Sequence, residues 1–443
     1  MELHAVDLLY DFAIMSALML VAKIIRVKVK VIQDFYIPTA LIAGFLGLLL
    51  GKQFLNVLPF SGEIGNYSGI LIAILFGSMF LGNKKKESFR TMLSSVGDTF
   101  FVNGAAEIGQ YGVFVLIGVI ILPILFPGIH EAFGMMLPSG FIGGHGTAAA
   151  VGTVVAEAGW SAGTSVGQTF ATIGLLSGIV GGVILINIGA RKGYTKVIKE
   201  VKSLPEEMKT GLVPEEKRIS LGDATVNSMS IEPLTWHLGL VLVAVGLAYL
   251  TNTWLKVLFP QVSFPVYGLA LLCSIALQAI LKTLKMEDYV DKRVITHIGS
   301  SSTDYLVAFG VASINISIVL QYWLPIVLLS VLGLVFVVLW HFVVSKRFFK
   351  TYWYERGLYI FGMSTGVLAT GVILLRILDP EFESGVLEDF GFAWIFLSIV
   401  DMLVVSLTPM LVLNGMGVVC GISLVIIASV FLALSGKIFG LAK

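Results

Sequence analysis

The sequence predicts an all-α polytopic membrane protein: an inverted repeat of five spans plus a re-entrant hairpin in each half, with an extra C-terminal span. Three observations carry that expectation. Hydrophobic residues fill 57% of the 443 positions and charged residues only 13%, with a mean hydropathy of +0.93, whereas a soluble domain carries about 25% charge. Apolar runs of about 18 residues or more recur from end to end. Lys and Arg gather in a few short segments between those runs. This balance excludes a secreted enzyme, a nucleic-acid binder and a disordered scaffold. Cys273 and Cys420 both sit inside apolar runs, so no disulfide framework or cysteine-based metal site can be built from them.

The expected spans are 8–27, 36–56, 67–82, 95–123, 166–189, 235–256, 264–283, 295–320, 324–345 and 390–413, and a further apolar stretch covers 416–438. The opening residues carry Glu2, Asp7 and Asp11 but no Lys or Arg. The first run therefore reads as a retained span rather than a cleaved signal peptide. Orientation follows from 24 of the 29 basic residues, which fall in five segments. These are Lys23 to Lys30, Lys84 to Arg90, the centre 190–218, 282–293 and 346–356. The positive-inside rule makes these segments cytoplasmic and places the N-terminus outside, the orientation of a multi-pass membrane protein.

Parity then constrains two Gly-rich segments, 133–157 and 358–378. Spans 95–123 and 166–189 already join two cytoplasmic segments, so 133–157 is expected to enter from outside and return. By the same count, 358–378 enters from the cytoplasmic side. A broken helix that crosses, with a neighbour divided into two spans, is the competing assignment.

The halves echo one another. Segment 35–50 resembles 262–277, with Pro38 against Pro265; 75–79 resembles 308–312; and 146–157 aligns with 365–376 at a constant offset that pairs Gly152 with Gly371. The expected division is a first repeat over 1–189, a cytoplasmic linker over 190–234, a second repeat over 235–413 and an extra span with its tail over 414–443. Inverted repeats are a signature of secondary transporters, whose sites lie at the repeat interface. Chance likeness between apolar segments is the alternative.

Residues 133–189 hold 14 of the 48 glycines, most densely at Gly140, Gly143, Gly144 and Gly146 around His145 and Thr147. Glycine costs a helix about 1 kcal/mol against Ala, and irregular backbone at membrane depth persists only where protein or an aqueous cavity satisfies it. The reading is a hairpin tip with a short helix starting near Thr147, its free N–H groups facing a carboxylate. A packing hinge is the plainer alternative. Gly174, Gly178 and Gly182 recur at four-residue spacing in the next span, as in a close-packing face.

Gly143-Gly144-His145-Gly146-Thr147, followed by Ala148-Ala149-Ala150, resembles the Gly-Gly-His-Gly-Thr motif of the bacterial sodium/glutamate symporter family. The likeness extends over about residues 8–413. It implies sodium-coupled uptake of an amino-acid anion by a homodimer, with a moving core and a static scaffold, sodium as coupling ion and no other cofactor. The second hairpin departs from the family's Ala-Thr-Pro-Thr-Ala run and reads Ser364-Thr365-Gly366-Val367-Leu368-Ala369-Thr370-Gly371. Glutamate or a related carboxylate is the expected substrate.

Charge at mid-membrane costs at least about 2.5 kcal/mol, so intramembrane ionisable residues are candidates. Asp401 lies near the centre of its span, with Ser398 and Thr408 on the same helical face. Oxygen ligands suit a hard cation, which makes Asp401 the expected sodium position, joined by Ser398, Thr370 and Glu107; a structural Asp bonded to a neighbouring helix is the alternative. Asn103, Glu107 and Gln110 share one face and are expected to line the cavity opposite the first hairpin. The expected substrate residues are Gly143, Gly144, His145, Gly146, Thr147, Ser364, Thr365, Gly366, Gln110 and Arg376. Arg376 would clamp a carboxylate if it points into the cavity, and would snorkel to water otherwise. Residues 300–304 read equally as a vestibule or a solvated helix start, and His237, His297 and His341 read as interfacial. No His-Glu-x-x-His, nucleophile elbow or paired catalytic carboxylates on one helix point to an intramembrane enzyme. A channel remains the rival class.

Overall fold

A computed structural model describes residues 5–34, 37–82, 89–196, 210–259, 266–379 and 384–441. Lys84, Lys85, Lys86, Pro265 and residues 197–209 of the basic centre lie outside them. The regular elements among the described residues are all helical. The longer ones in the first half are α1 (Ala5–Lys28), α2 (Thr39–Leu50), α3 (Ile64–Ser78), α4 (Phe89–Leu116), α5 (Phe133–Phe141), α6 (Gly144–Glu157) and α7 (Gly163–Lys192). The second half holds α8 (Pro233–Leu258), α9 (Val266–Thr283), α10 (Lys292–Ala312), α11 (Trp323–Leu339), α12 (Trp353–Leu378), α13 (Val386–Leu411) and α14 (Gly417–Phe439). One-turn π segments extend α4 and α11 and join α13 to α14.

Among the described residues, seven candidate spans are long and apolar enough to cross a membrane. Two expected spans yield helices that fall short of the bilayer core. Helix α2 has 12 residues and α3 has 15, about 18 and 23 Å at 1.5 Å per residue, against a hydrocarbon core of about 30 Å. Pro38 and Gly51 bound α2, which is why an apolar run of about 20 residues yields so short a helix. The runs 390–413 and 416–438 form one continuous apolar candidate, Phe396–Phe439, broken at Asn414 and Gly415 (φ 75°).

The chain divides into two compact units. The first comprises 1–25, 38–86 and 212–313 and holds most of α1 together with α2, α3, α8, α9 and α10. Its helices approach closely where glycines allow it: a Cβ on Gly44 would fall 2.6 Å from Val311 Cβ, and one on Gly47 2.9 Å from Ala312 Cβ. Buried Asp11 accepts from Ser61 N (2.9 Å), Ser61 Oγ (2.5 Å) and Tyr67 OH (2.7 Å) beside a cluster of Phe12, Tyr305 and Phe309. Lys292 opens α10 and donates its Nζ to the carbonyls of Met79 (2.5 Å) and Leu81 (3.1 Å), closing the end of α3. Burial pulls this amine down to about 8. His237 is buried too, its Nδ1 on Pro233 O (2.6 Å) and its Nε2 accepting from Asp291 N (2.9 Å). Residues 300–304 lie within α10 rather than at its start, eight residues or more beyond Lys292.

The second unit comprises 26–37, 87–211 and 314–443 and holds α4 to α7 and α11 to α14. Helix α14 packs along α4 through glycines: a Cβ on Gly112 would fall 2.8 Å from Val425 N, and one on Gly421 3.1 Å from Gly112 O. Small residues let backbones approach where lipid offers no hydrophobic drive. Taken at 100° per residue, Gly112 points away from the Asn103–Glu107–Gln110 stripe, with Gly104 to its side. Helix α14 thus covers the back of the helix that carries that stripe. His341 is buried among Phe342, Trp353 and Tyr354, and His297 is exposed.

Candidate functional site

Both Gly-rich segments fold back on themselves inside the second unit. Along α7, a Cβ on Gly167 would meet both Met136 (2.6 Å) and Ala148 (3.1 Å). From there Gly140 approaches Ala171, while Gly152 approaches Thr164. So α5 advances with α7 and α6 runs against it, and the chain reverses at residues 142–144. Gly144 has φ +64°, a conformation that costs a side-chain-bearing residue about 1–2 kcal/mol. Helix α6 starts at Gly144, three residues before the expected Thr147.

The second reversal lies within α12. Its regular dihedrals break at Gly366 (φ −140°, ψ 35°) and Val367 (φ 66°, ψ 172°). A Cβ on Gly362 would fall 2.8 Å from Gly371 Cα, whereas nine residues of straight helix span about 13.5 Å. The left-handed residues of the two tips, Gly144 and Val367, are 223 positions apart, about one helical turn from the 219-residue offset of the sequence alignment. Val367 is β-branched at positive φ, a strain of about 1–3 kcal/mol that surrounding structure must hold.

The tips meet: a Cβ on Gly144 would fall 2.5 Å from Val367 Cγ1. Helix α7 makes this possible. Gly174 and Gly178 lie directly against Thr365, and Gly182 against Leu374, so its small-residue face seats the second hairpin. Gln168 and Thr172 hold the first. Gln168 Nε2 donates to His145 O (2.9 Å), and the Thr172 hydroxyl donates to Gln168 O (2.9 Å). With its proton used there, Thr172 Oγ1 accepts from His145 Nε2 at 3.0 Å. The sequence reading missed Gln168 and Thr172. Their spacing of four within an otherwise apolar span was the available sign.

The polar stripe on α4 meets the second hairpin. Asn103 Nδ2 reaches Met363 Sδ (3.7 Å), and Gln110 Nε2 donates to Ser364 O (3.3 Å). Asn103, Glu107 and Gln110 are fully buried. Asn103 Oδ1, both Glu107 oxygens, Gln110 Oε1 and Ser364 Oγ meet no hydrogen-bonding partner. Glu107 faces another carboxyl, that of Asp401 on α13, within hydrogen-bonding reach. The pocket therefore concentrates oxygen atoms with no donor aimed at Glu107. A proton or a hard cation would satisfy it.

The remaining expected residues divide. Ser398 is buried one turn from Asp401. Thr365 and Thr370 are buried, and their hydroxyls donate to their own helix, to Phe361 O (2.8 Å) and Gly366 O respectively. Thr408 hydrogen-bonds with Cys420 of α14. Arg376 is exposed nine residues beyond Val367, about 13 Å from the tip. Among the described residues, no group of three or more His, Cys, Asp and Glu could hold a metal ion.

An ionic clamp that the sequence did not reveal ties three of these helices together. Arg356 near the start of α12 donates to Thr99 (2.6 Å) and Asp98 (3.3 Å) on α4 and to Asp389 (2.5 Å) on α13. Glu107, Ser364 and Asp401 lie 8 to 12 residues further along the same three helices.

Apolar spans, two folded-back hairpins and a buried acceptor-rich pocket define a polytopic membrane transporter, not an enzyme. The sodium/glutamate symporter family model matches residues 4–353, and the chain belongs to that family. No curated protein matches it. The matched stretch contains Glu107 and the first hairpin, and ends at the start of α12, before the second hairpin, Asp401 and α14. Membership makes sodium the implied coupling ion.

Proposed function

We propose that this chain is a sodium-coupled symporter of glutamate or a related small organic anion. One observation carries the placement of the ion: the unpartnered oxygens of Asn103, Glu107, Gln110 and Ser364 gathered where Glu107 meets Asp401. Sodium bound there, with Ser398 one turn from Asp401 and Thr370 of the second hairpin as further oxygen ligands, neutralises charge that the bilayer would otherwise penalise. The substrate carboxylate sits at the abutting tips. The N–H groups of Gly144, His145 and Gly146 open α6 with no side-chain cap, with Gly143 and Thr147 flanking them. Ser364, Thr365 and Gly366 supply the facing wall, and Gln110 bridges the two sites. Arg376, exposed at the far end of the hairpin, acts in vestibular attraction of the anion.

The two tips enter from opposite faces of the membrane as re-entrant segments of an inverted repeat, 1–189 and 235–413, linked by 190–234 and followed by the extra span over 414–443. Both hairpins and the cation pocket belong to one compact unit, which supports alternating access of elevator type with that unit as the moving body. The carrier works as a homodimer in a bacterial cytoplasmic membrane, N-terminus outside. The carboxyl pair favours one second reading, a proton-coupled carrier, because a proton also satisfies two facing carboxyls.

The test is uptake of labelled glutamate into proteoliposomes under an inward sodium gradient, then with potassium in its place. Sodium-dependent accumulation against the glutamate gradient is expected. Accumulation driven by a proton gradient alone would favour the second reading, and saturation-free flux without accumulation would indicate a channel.

A further inference from the structure

The helices α13 and α14 form a hairpin of their own on one side of α4, and they do not close on each other. A cleft of about 330 Å³ runs between them, from Val400 to Leu411 on one wall and from Val419 to Phe431 on the other. Its floor is buried: Ile108 of α4, Val404 and Leu424. Its rim is open, with Leu403, Leu407 and Ile427 each more than two-fifths exposed along the outer edge. Both walls belong to the apolar candidate span Phe396–Phe439, so the opening faces hydrocarbon.

The dimensions decide what fits. Twelve residues of α14 rise about 18 Å, close to the roughly 15 Å depth of one bilayer leaflet, half of its ~30 Å core. That volume is the room open to the centres of water-sized molecules; spread over this length and widened all round by their roughly 1.4 Å radius, it gives a groove of about 45 Å² in section, about 8 Å across. A helix about 10–12 Å across requires roughly 80–110 Å², so neither a helix of a second copy nor one of a partner can seat itself in the cleft. An extended hydrocarbon chain, whose carbons pack at about 3.5–4.0 Å from their neighbours, fits within both width and length.

The lining chemistry points the same way. Thr408 and Cys420 hydrogen-bond to each other across the floor, and no side chain lining the cleft leaves a buried polar atom unpartnered. A polar solute would lose its hydration without finding a partner. An aliphatic chain loses nothing and gains dispersion contacts on three sides. Van der Waals packing is the main attraction available inside a bilayer.

We propose that the cleft between α13 and α14 is a binding site for one acyl chain of a membrane phospholipid. The site is independent of the transport reading, because its occupant touches neither hairpin. It gives the extra C-terminal helix a second role beside covering α4, as the outer wall of a lipid site.

The full-length chain is reconstituted in phosphatidylcholine vesicles doped with a phosphatidylcholine carrying a diazirine in mid-chain, irradiated, digested and mapped by mass spectrometry. Adducts are expected to concentrate on 400–411 and 419–431, several-fold above those on the outward residues Leu242, Leu247 and Leu250 of α8, which report ordinary lipid contact. Leu407→Trp, or Ser423→Trp from the opposite wall, is expected to lower cleft labelling to the α8 level and leave α8 unchanged. Excess unlabelled phospholipid should compete, with a free fatty acid compared beside it. Wild-type labelling of the cleft no stronger than that of α8 would overturn the assignment, and this comparison needs no variant to fold. So would a photo-cross-link joining two chains through 400–431, or competition by the free fatty acid alone.

Discussion

Replacing Glu107 by Gln separates two properties that usually fall together, because the structure makes them move in opposite directions. Both Glu107 oxygens are buried without a donor and face the Asp401 carboxyl. An unsatisfied buried acceptor costs about 1–3 kcal/mol, and more when charged. Gln keeps the shape and supplies an N–H that can donate to the Asp401 carboxylate, a charge-assisted bond of about 1.5–3 kcal/mol. Without sodium, Glu107→Gln is therefore expected to be more stable than the wild type by about 1–3 kcal/mol. With sodium the order changes. The wild type gains about 2.7 kcal/mol when sodium stands at 100 times its dissociation constant, and the variant gains almost none. The assay is thermal unfolding in sodium chloride against choline chloride at equal ionic strength, paired with the sodium dependence of uptake. Asp401→Asn, with its amide on the other partner, should behave alike. An unchanged sodium-induced rise in Tm, with unchanged sodium activation of uptake, would refute the assignment of the pocket. A loss of stability in the sodium-free state would show that Glu107 is satisfied by something other than a cation.

Gly144→Val adds a β-branched side chain at φ +64° and places its Cβ 2.5 Å from Val367 Cγ1. Uptake is expected to be abolished while the protein still accumulates in the membrane, and wild-type uptake would show that the tips need not meet. Arg356→Lys keeps the charge but loses the fork that reaches Thr99, Asp98 and Asp389. It should cost about 1–3 kcal/mol in thermal unfolding, less than the 3–5 of a fully buried broken pair, since both aspartates keep about a quarter of their surface in water; an unshifted Tm would show the clamp is inert. Lys292 holds its proton less tightly in the fold, its pKa pulled down to about 8 by burial, than in the unfolded chain, where it is near 10.4. That difference is a full cost to stability below pH 8 and is relieved as the pH rises through 8 towards 10. Wild type should therefore gain on Lys292→Met over that range, and parallel pH profiles of Tm would contradict the desolvation account.

Some of the site is written locally. Gly143 to Thr147 marks a break because glycine and an intramembrane histidine are both unfavourable in an apolar helix, and the structure breaks the chain there. Asn103, Glu107 and Gln110 share a face because 3.6 residues make a turn, and all three are buried. The partner of that face was not legible. Gln110 bonds Ser364, 254 positions away, and no local pattern reports such a distance. Helix lengths failed for a related reason: hydropathy is a window average, and it counts Pro38 and Gly51 as passengers in an apolar run although they end the helix.

By itself the sequence determined the class of protein, its family and the polar positions that a bilayer would not tolerate without purpose, since these follow from composition, motif and helical period. Only the tertiary structure decided which of those positions meet. Helix α7 seats both hairpins because Gly167, Gly174 and Gly178 leave room for them, and this brings Gly144 to Val367. Arg356 clamps α4 to α13 at one end, and further along the same helices the carboxyls of Glu107 and Asp401 face each other. Contacts of this kind depend on the volumes of many side chains filling one interior at close-packed density, a property of the whole fold that no stretch of chain carries alone.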